Sequence, residues 1–218
     1  KEMLPETPSI AQFLTAELKA GDAVGIDATV FSTQGAKALK EELDAAGIEL
    51  KYIADPLATI WSDRPTIPQD PIVVHPLRYA GKPTEEKLSD IRQALAAKGA
   101  EAIFVSLLDE IAWTLNLRGS DVHCNPVFVA YLYIGREETI LFTDAAKVPQ
   151  ETADYLASIH VSVAPYAEAA ATLSRLQGVK LLLDLPKTNA AIYEAAQQGC
   201  TIIDSASPIC LMKSVKNA

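Results

Sequence analysis

Short apolar segments alternate with helix-like segments over most of this chain, and this alternation restricts its fold more than any other feature. The segments AIFVSL (residues 102–107) and VKLLLDL (179–185) have the length and apolar content of buried strands. A segment with helical spacing, TEEKLSDIRQALAAKG, precedes the first of them and places Leu88, Ile91 and Leu95 on one face. The order of strand and helix predicts an α/β sandwich with helices on the sheet faces.

One pair of predicted strands is joined too tightly for a helical crossover. VFVAYLYI (127–134) and TILFTD (139–144) flank the sequence GREE, in which Gly135 suits a hairpin turn. Strands in a hairpin are antiparallel, whereas strands joined through a helix are parallel. We therefore predict a three-layer α/β sandwich with a mixed sheet.

Proline divides the sequence into two parts. Five prolines fall within one short stretch, where neither regular helix nor central strand is expected, and we interpret this stretch as a linker. They are Pro65, Pro68, Pro71, Pro76 and Pro83. The predicted domains are therefore residues 1–82, a smaller unit with the linker, and residues 83–218.

The smaller unit has its own start and stop signals. Thr7-Pro8 predicts a helix start, and Ser32 predicts a second one that ends at Gly47. Strands are predicted at AVGIDATVF and ELKYIA.

The charge and the apolar pattern exclude several classes of partner. With 28 acidic and 19 basic residues, the net charge of −9 disfavours nucleic acid and anionic membrane surfaces. No apolar run approaches the roughly 20 residues needed to span a membrane. The three cysteines do not form a disulfide or zinc pattern. With no signal peptide, the expected location is the cytoplasm.

Four predicted strands end in aspartate: Asp27, Asp144, Asp184 and Asp204. Carboxylates at strand ends could gather around a divalent cation, which prefers oxygen ligands. Aspartate also accepts hydrogen bonds from free backbone N–H groups at turns and helix starts. No fixed spacing links the four residues, so capping is the favoured interpretation.

A polar segment, NLRGSDVHCNP, separates two apolar stretches. Its Arg118 carries a guanidinium group suited to a carboxylate or a peptide carbonyl, and Gly119 lets the backbone turn tightly beside it. The alternative is an ion pair within the domain, with Asp121 or Asp109. Trp113 is interpreted as a core residue rather than as a platform for a ligand.

The segment DEIAWTLNLRGSDVHCNPVF (109–128) closely resembles a motif of the three-domain Xaa-Pro aminopeptidases of peptidase family M24, also called aminopeptidase P. Shorter matches occur in the family's order along the chain: LPETP (4–8), VGID (24–27), IWSDRP (60–65) and SPICLMKSVKN (207–217). The resemblance therefore covers essentially the whole sequence.

The resemblance implies two creatinase-like N-terminal domains followed by a catalytic domain. In the family, that catalytic domain binds two metal ions, usually manganese, through two aspartates, one histidine and two glutamates. The metals activate a water that cleaves the bond before a penultimate proline. No position here matches these ligands, so no metal site and no catalytic residue is assigned. The chain is expected to be part of domain one (1–82) and a complete domain two (83–218).

The implied function is the non-catalytic N-terminal portion of such an enzyme, which shapes substrate access and supports assembly. The expected partners are the catalytic domain and a peptide with penultimate proline, and a homodimer is left open. A free-standing binding module for peptide or protein is the alternative. Substrate-facing candidates are Asn116, Arg118, Asp121 and Asn125. The residues expected to be structural are Asp109, which would cap a short helix, Trp113 and Pro126.

Overall fold

A computed structural model describes residues 7–216. The chain divides into two compact units, which are described separately. The first unit comprises the residues up to Arg64 together with Asn189–Ala191, and the second comprises Pro65–Thr188 and the residues from Ile192 onward.

The first unit contains α1 (Ile10–Glu17), β1 (Ala23–Asp27), α2 (Thr33–Ala45) and β2 (Glu49–Ile53). The predicted start of α1, with Thr7 as the cap and Pro8 as the first helical residue, is wrong by two residues. Ser9 is the N-cap, because its hydroxyl accepts from the Gln12 backbone while the Gln12 side chain accepts from the Ser9 backbone. The LPETP match lies largely outside the described residues, which begin at residue 7.

The sheet of the first unit has two parallel strands. β1 pairs with β2 in the register Ala23↔Glu49 to Asp27↔Ile53. As predicted, Ser32 caps α2 by accepting a hydrogen bond from the backbone N–H of Gly35. Helix α2 covers one side of the sheet with Leu39 and Leu43.

The proline-rich stretch contributes regular structure to the second unit, unlike a simple linker. It contains β3 (Val73–Val74) and α3 (Leu77–Ala80). Strand β3 forms a short antiparallel pair with β5 (Leu117–Arg118), and Ile72 is fully buried in the core of the unit. The prolines of this stretch do not prevent the pairing, because neither β3 nor β5 contains a proline. The predicted domain boundary near residue 82 stays a prediction.

Apart from β5 and α9, the other helices and strands that follow α3 along the chain occur in the predicted order. The elements in this part of the chain are α4 (Thr84–Ala97), β4 (Ala102–Val105), α5 (Leu108–Thr114), β6 (Tyr131–Ile134), β7 (Thr139–Phe142), α6 (Gln150–Ser158), β8 (Ser162–Ala164), α7 (Ala169–Arg175), β9 (Lys180–Leu183), α8 (Ala190–Ala196), β10 (Thr201–Asp204) and α9 (Pro208–Ser214). The sequence patterns did not predict α9, whose Pro208 occupies the first helical position after the capping residue Ser207.

Six strands form one mixed sheet in the order β10-β9-β4-β6-β7-β8. The pairs β10–β9, β9–β4 and β7–β8 are parallel, whereas β4–β6 and β6–β7 are antiparallel. The predicted hairpin is therefore confirmed. It makes the sheet mixed.

Apolar residues cover both faces of this sheet. Along β4, Ile103 and Val105 join one buried cluster with residues of α4, α5, α6 and α9. Ala102 and Phe104 join a second buried cluster with residues of α7 and α8. Because successive side chains of a strand point to opposite faces, the two clusters form on opposite sides of the sheet. The predicted three-layer α/β architecture is confirmed.

Candidate functional site

A sharp corner follows α5 and brings the polar segment against α4. Leu115 ends the helix, and Asn116 has a positive φ of 51°, which turns the chain into β5. Asparagine tolerates this left-handed conformation better than most residues because its side chain bonds locally. Here the Asn116 amide donates to the Lys82 carbonyl oxygen at 2.9 Å.

Lys87 of α4 brings a buried ammonium group to this corner. Its side chain is among the largest that are fully buried, with 1% of the residue exposed. The ammonium donates to Asn116 Oδ1 at 2.6 Å and to the Trp113 carbonyl at 2.7 Å. It also lies 4.2 Å from the centroid of the Trp113 ring, in a cation–π contact. Among the described residues, no carboxylate pairs with it.

Arg118 is held by backbone carbonyls. Its Nη1 donates to the Ala112 oxygen at 3.0 Å and to the Leu117 oxygen at 2.8 Å. Neither predicted alternative partner is used, because Asp121 pairs with Lys147 and Asp109 pairs with Lys213. The Nε–Nη2 edge of the guanidinium has no hydrogen-bond acceptor within residues 7–216.

Gly119 allows this strand to lie close to the chain that follows the polar loop. A Cβ atom at this position would lie 2.8 Å from the Cβ of Phe128 and 3.1 Å from the Val127 carbonyl oxygen. A side chain would push β5 away from residues 127–128. The Arg-Gly sequence therefore fixes the backbone that carries the guanidinium.

Asn116, Arg118, Trp113 and Lys87 line a common pocket of about 800 Å³. Helix α3, the residues before α4, and helix α9 complete its walls. Its other lining residues are Arg78, Tyr79, Ala80, Gly81, Lys82, Asp90, Met212, Lys213, Val215 and Lys216. A chain with a net charge of −9 thus gathers six cationic side chains around one cavity with a single acidic residue.

Four of these cations are not neutralised within the described part of the chain. Lys82 pairs with Asp90, and Lys213 pairs with Asp109. No carboxylate of residues 7–216 lies within ion-pair distance of the other four. They are Arg78, Lys87, Arg118 and Lys216.

The crowding of like charges affects the protonation of the pocket. Burial, followed by the charges of Arg118 and Lys82, lowers the pKa of Lys87 from 10.5 to about 8. Burial, followed by the charges of Arg118 and Lys87, also lowers the pKa of His75. Such perturbed groups beside a cavity are typical of a functional site, although ion networks can produce them too.

Two other substrate-facing candidates lie in different surroundings. The side chain of Asp121 is fully buried, where its Oδ2 pairs with Lys147 and accepts from the Val129 N–H at 2.6 Å. Asn125 is exposed, and its backbone N–H closes a tight turn with the Val122 carbonyl at 3.0 Å. The structure therefore gathers Asn116 and Arg118 in the pocket but not Asp121 or Asn125.

The three residues assigned to structure have distinct contacts. Leu107, not Asp109, is the N-cap of α5, because Asp109 lies inside the first turn and pairs there with Lys213. Trp113 is partly buried against the core and has one ring face under Lys87. Pro126 is exposed, and its carbonyl accepts from Gly119 at 3.4 Å.

The described residues do not fit the metal pair that the sequence resemblance implies. No group of three or more histidine, cysteine, aspartate or glutamate residues within 7–216 could hold a metal ion. The oxygens of Asp27 bond to Thr29, those of Asp144 to the Ala146 N–H, and those of Asp184 to the Ser207 N–H. Three of the four strand-end aspartates thus accept separate hydrogen bonds, and those of Asp27 and Asp144 belong to local turns or caps.

Sequence patterns missed Lys87, the most buried charge of the pocket. A signal existed, because positions 84, 87, 88, 91 and 95 follow the helical spacing of the buried face of α4. A lysine on that face requires a partner inside the protein. The contribution of α3 and α9 had no comparable signal, since each is short and joins the pocket only through tertiary packing.

Known proteins resemble this chain over its full length. The family model "Creatinase/Prolidase N-terminal domain" matches residues 63–218. A probable Xaa-Pro aminopeptidase P of Pyricularia oryzae is 34% identical over 233 aligned residues, which cover 100% of this chain and 38% of the relative. Aminopeptidase P2 of Arabidopsis thaliana is 37% identical over 90% of this chain and 28% of its own length. This chain thus spans little more than a third of these relatives at most.

A solved structure supports the same relationship. The X-prolyl aminopeptidase of Caenorhabditis elegans, described as a cytosolic enzyme with a di-nuclear active site, superimposes with a TM-score of 0.90. It is 27% identical, and the match covers 99% of this chain and 36% of the nematode enzyme. Within the described residues of this chain, no helix has the length and hydropathy of a membrane span.

Proposed function

Because this chain belongs to the Creatinase/Prolidase N-terminal domain family, we propose that it is the non-catalytic N-terminal portion of an Xaa-Pro aminopeptidase. The proposed whole protein removes the N-terminal residue from peptides with proline in second position. It works in the cytoplasm, as its nematode relative is described to do. Two divalent metal ions, which we propose to be manganese, are held by its catalytic domain.

We assign separate roles to the two predicted domains. Residues 1–82 contribute part of a first creatinase-like domain, and residues 83–218 form the second. The second domain shapes substrate access and supports assembly with the catalytic domain, including a homodimer if one forms. Within residues 7–216 no group of three or more histidine, cysteine, aspartate or glutamate residues could hold a metal ion, which supports assigning the bond-breaking step to residues outside this segment.

The observation that best supports a role in substrate access is the cavity beside the NLRGSD motif. It presents Asn116 and Arg118 together with Lys87 and Trp113. Arg118 is oriented by carbonyl oxygens and keeps one edge of its guanidinium free of protein acceptors within residues 7–216. This arrangement suits a group that meets a peptide or an adjacent domain.

The test is Arg118→Ala in a protein that contains this sequence together with its catalytic domain. Metal content should not change, because Arg118 belongs to no ligand set. Loss of a charged hydrogen bond should cost about 1.5 to 3 kcal/mol. This corresponds to a fall in kcat/KM of roughly ten- to hundred-fold, with the melting temperature largely retained.

Arg92→Ala is the matched control. Arg92 is also half-buried and also donates to backbone, at 2.9 Å to the Gly135 carbonyl, but it lies outside the cavity. Its loss should lower the melting temperature and leave kcat/KM nearly unchanged. If Arg118→Ala behaves like Arg92→Ala, the proposed role in substrate access is wrong. A free-standing binding module would show no peptidase activity in any natural protein that carries this sequence.

A further inference from the structure

We infer that the basic cavity of the second unit is a binding site for a carboxylate group carried by a polypeptide. The inference rests on the proposed function for the peptide origin of its ligand, and on the described residues for the chemistry. Two sources share that chemistry: the C-terminal carboxylate of a peptide and the side chain of an aspartate or glutamate.

The first support is the uncompensated charge. Folding places the ammonium of Lys87 and the guanidinium of Arg118 near one another, and within residues 7–216 neither pairs with a carboxylate. Two buried or half-buried cations without a counter-ion repel each other and lose hydration. If the two cations had no ligand to bind, replacing one of them would remove this cost. A site that binds an anion has to keep both.

The second support is the number and direction of unused donors. Lys87 donates two of its three N–H bonds to Trp113 and Asn116, so one remains. Arg118 donates both N–H bonds of Nη1 to carbonyl oxygens, so the Nε–Nη2 edge remains. That edge binds two oxygens of one carboxylate in parallel. Four N–H groups therefore remain, three on Arg118 and one on Lys87, and two of those on Arg118 lie along the edge that suits a carboxylate.

The third support is the composition of the cavity wall. Arg78 and Lys216 are exposed at the wall and add long-range attraction for an anion. Trp113 and Tyr79 provide aromatic surface for the carbon atoms next to a carboxylate. A volume of about 800 Å³ is large enough for several residues of a peptide rather than for a single ion.

The test uses the 218-residue chain, labelled with ¹⁵N, and four probes at low ionic strength and pH 7. The probes are acetyl-tetraalanine with a free carboxylate, the same peptide as its amide, acetyl-Ala-Glu-Glu-Ala-amide, and inorganic phosphate. The indole N–H signal of Trp113 reports binding, and Trp61→Phe assigns it. Saturable shifts are expected with one or both carboxylate peptides, at a Kd on the order of millimolar. The neutral amide should cause none.

The peptide that binds more tightly identifies the source of the carboxylate. Arg118→Gln and Lys87→Met should each weaken binding at least tenfold, and Arg136→Gln, on the hairpin outside the cavity, should not. If Lys87→Met does not fold, Lys216→Gln replaces it, because Lys216 is exposed and should weaken binding several-fold without loss of stability. Equal binding of the neutral amide, tighter binding of phosphate, or full binding by Arg118→Gln would overturn the inference.

These outcomes are separable from those of the proposed function. The binding test needs no catalytic domain and measures no turnover. Failure of the parent chain to bind either carboxylate peptide, together with a reduced kcat/KM in Arg118→Ala, would refute the carboxylate site and keep the role in substrate access. Specific binding of carboxylate by the parent chain, together with a normal kcat/KM in Arg118→Ala, would keep the carboxylate site and refute the role in substrate access.

Discussion

The Nζ atom of Lys87 lies 4.2 Å from the centroid of the Trp113 ring and 2.7 Å from the carbonyl oxygen of the same residue. A single neighbour therefore offers the ammonium both a π face and a hydrogen-bond acceptor. Neither is an anion, so the charge is solvated by dipoles but not neutralised. The arrangement keeps a cation inside the protein and makes its protonation sensitive to what enters the cavity.

Lys87 should make stability depend on pH in a defined direction. Burial lowers the pKa of its ammonium from 10.5 to about 8 in the folded chain. Between these values the unfolded chain holds more protons, so the free energy of unfolding rises with pH. In Lys87→Met this contribution is absent. We expect the stability of the parent chain relative to Lys87→Met to increase by about 2 to 3 kcal/mol between pH 7 and pH 10.

Urea unfolding of both proteins at several pH values measures this difference, because other titrating groups cancel in the comparison. Lys98→Met is the control, since Lys98 lies on the exposed end of the same helix and bonds to Ser205. Its stability relative to the parent should not vary over this range. A constant difference for Lys87→Met would mean that the ammonium titrates in the folded chain as it does in water.

Local signals account for the parts of the fold that the sequence predicted. Ser32 caps α2 through Gly35, three residues later, and Gly135 closes the hairpin between neighbouring strands. These interactions join residues that are close in sequence. The strand pair β3–β5 joins Val73 to Arg118, which are far apart, and proline content in the first partner conceals it. Ile72, next to β3, is fully buried in the core of the second unit, a tertiary contact that has no local signal.

Part of the candidate pocket could be predicted from the sequence for the same reason. The motif residues Asn116 and Arg118 are neighbours in sequence, and a resemblance of motifs identified both. Lys87 reaches them from another helix, and the pairs Lys82–Asp90 and Lys213–Asp109 decide which cations remain free. Such a balance of charge is a property of packing. It cannot be read from the positions of charged residues along the chain.

Asp121 should matter for stability rather than for substrate binding. Its side chain is fully buried and, within residues 7–216, is the one ion-pair partner of Lys147, which is also buried. Asp121→Asn would leave the Lys147 ammonium without a counter-ion, at a cost of about 3 to 5 kcal/mol. Asp144→Asn is the control, because asparagine caps a helix nearly as well as aspartate.

Urea unfolding at pH 7 compares the two variants with the parent chain. The double variant Asp121→Asn/Lys147→Met removes both charges and should recover part of the loss. Asp121→Asn with parental stability would show that the pair contributes little and would return Asp121 to the list of substrate-facing candidates.

Glu110 should oppose folding at neutral pH. It is 1% exposed, and within the described residues only Ser207 donates a hydrogen bond to its carboxylate, at 2.7 Å. Burial raises the pKa of this carboxyl, so the unfolded chain loses the proton first as pH rises above 4.5. The protonated Glu110 carboxyl therefore contributes to the free energy of unfolding at low pH, and this contribution is lost as the pH rises. Glu110→Gln should be more stable than the parent chain by about 1 kcal/mol at pH 7.

That gain should shrink towards zero as the pH falls to 4, where the parent carboxyl is itself neutral. Glu101→Gln should behave in the opposite way. A backbone hydrogen bond from Lys180, assisted by Arg136, lowers the pKa of Glu101, so its ionised form stabilises the fold and its replacement should cost stability at pH 7. Thermal unfolding of both variants at pH 4, 5 and 7 distinguishes the two signs. A gain for Glu110→Gln that is equal at every pH would contradict the buried-charge explanation.

The two units should differ in local stability. In the first, β1 and β2 form a two-stranded parallel sheet, and no further strand of residues 7–216 pairs with either. Parallel strands are normally covered on both faces, yet Tyr52 and Ile53 of β2 are exposed by 46% and 42%. In the second, β4 is hydrogen-bonded on both sides, by β9 and β6, and all four of its residues are buried. Opening of β1 or β2 therefore breaks fewer contacts than opening of β4.

Amide hydrogens of residues 23–27 and 49–53 should exchange at least about tenfold faster than those of residues 102–105, which is a difference of about 1.4 kcal/mol in opening free energy. Hydrogen exchange followed by mass spectrometry should be run at two protein concentrations, because open sheet edges can also be protected by self-association. Protection of the first unit that increases with concentration would locate an intermolecular contact there. Equal and concentration-independent protection of all three strands would refute the prediction.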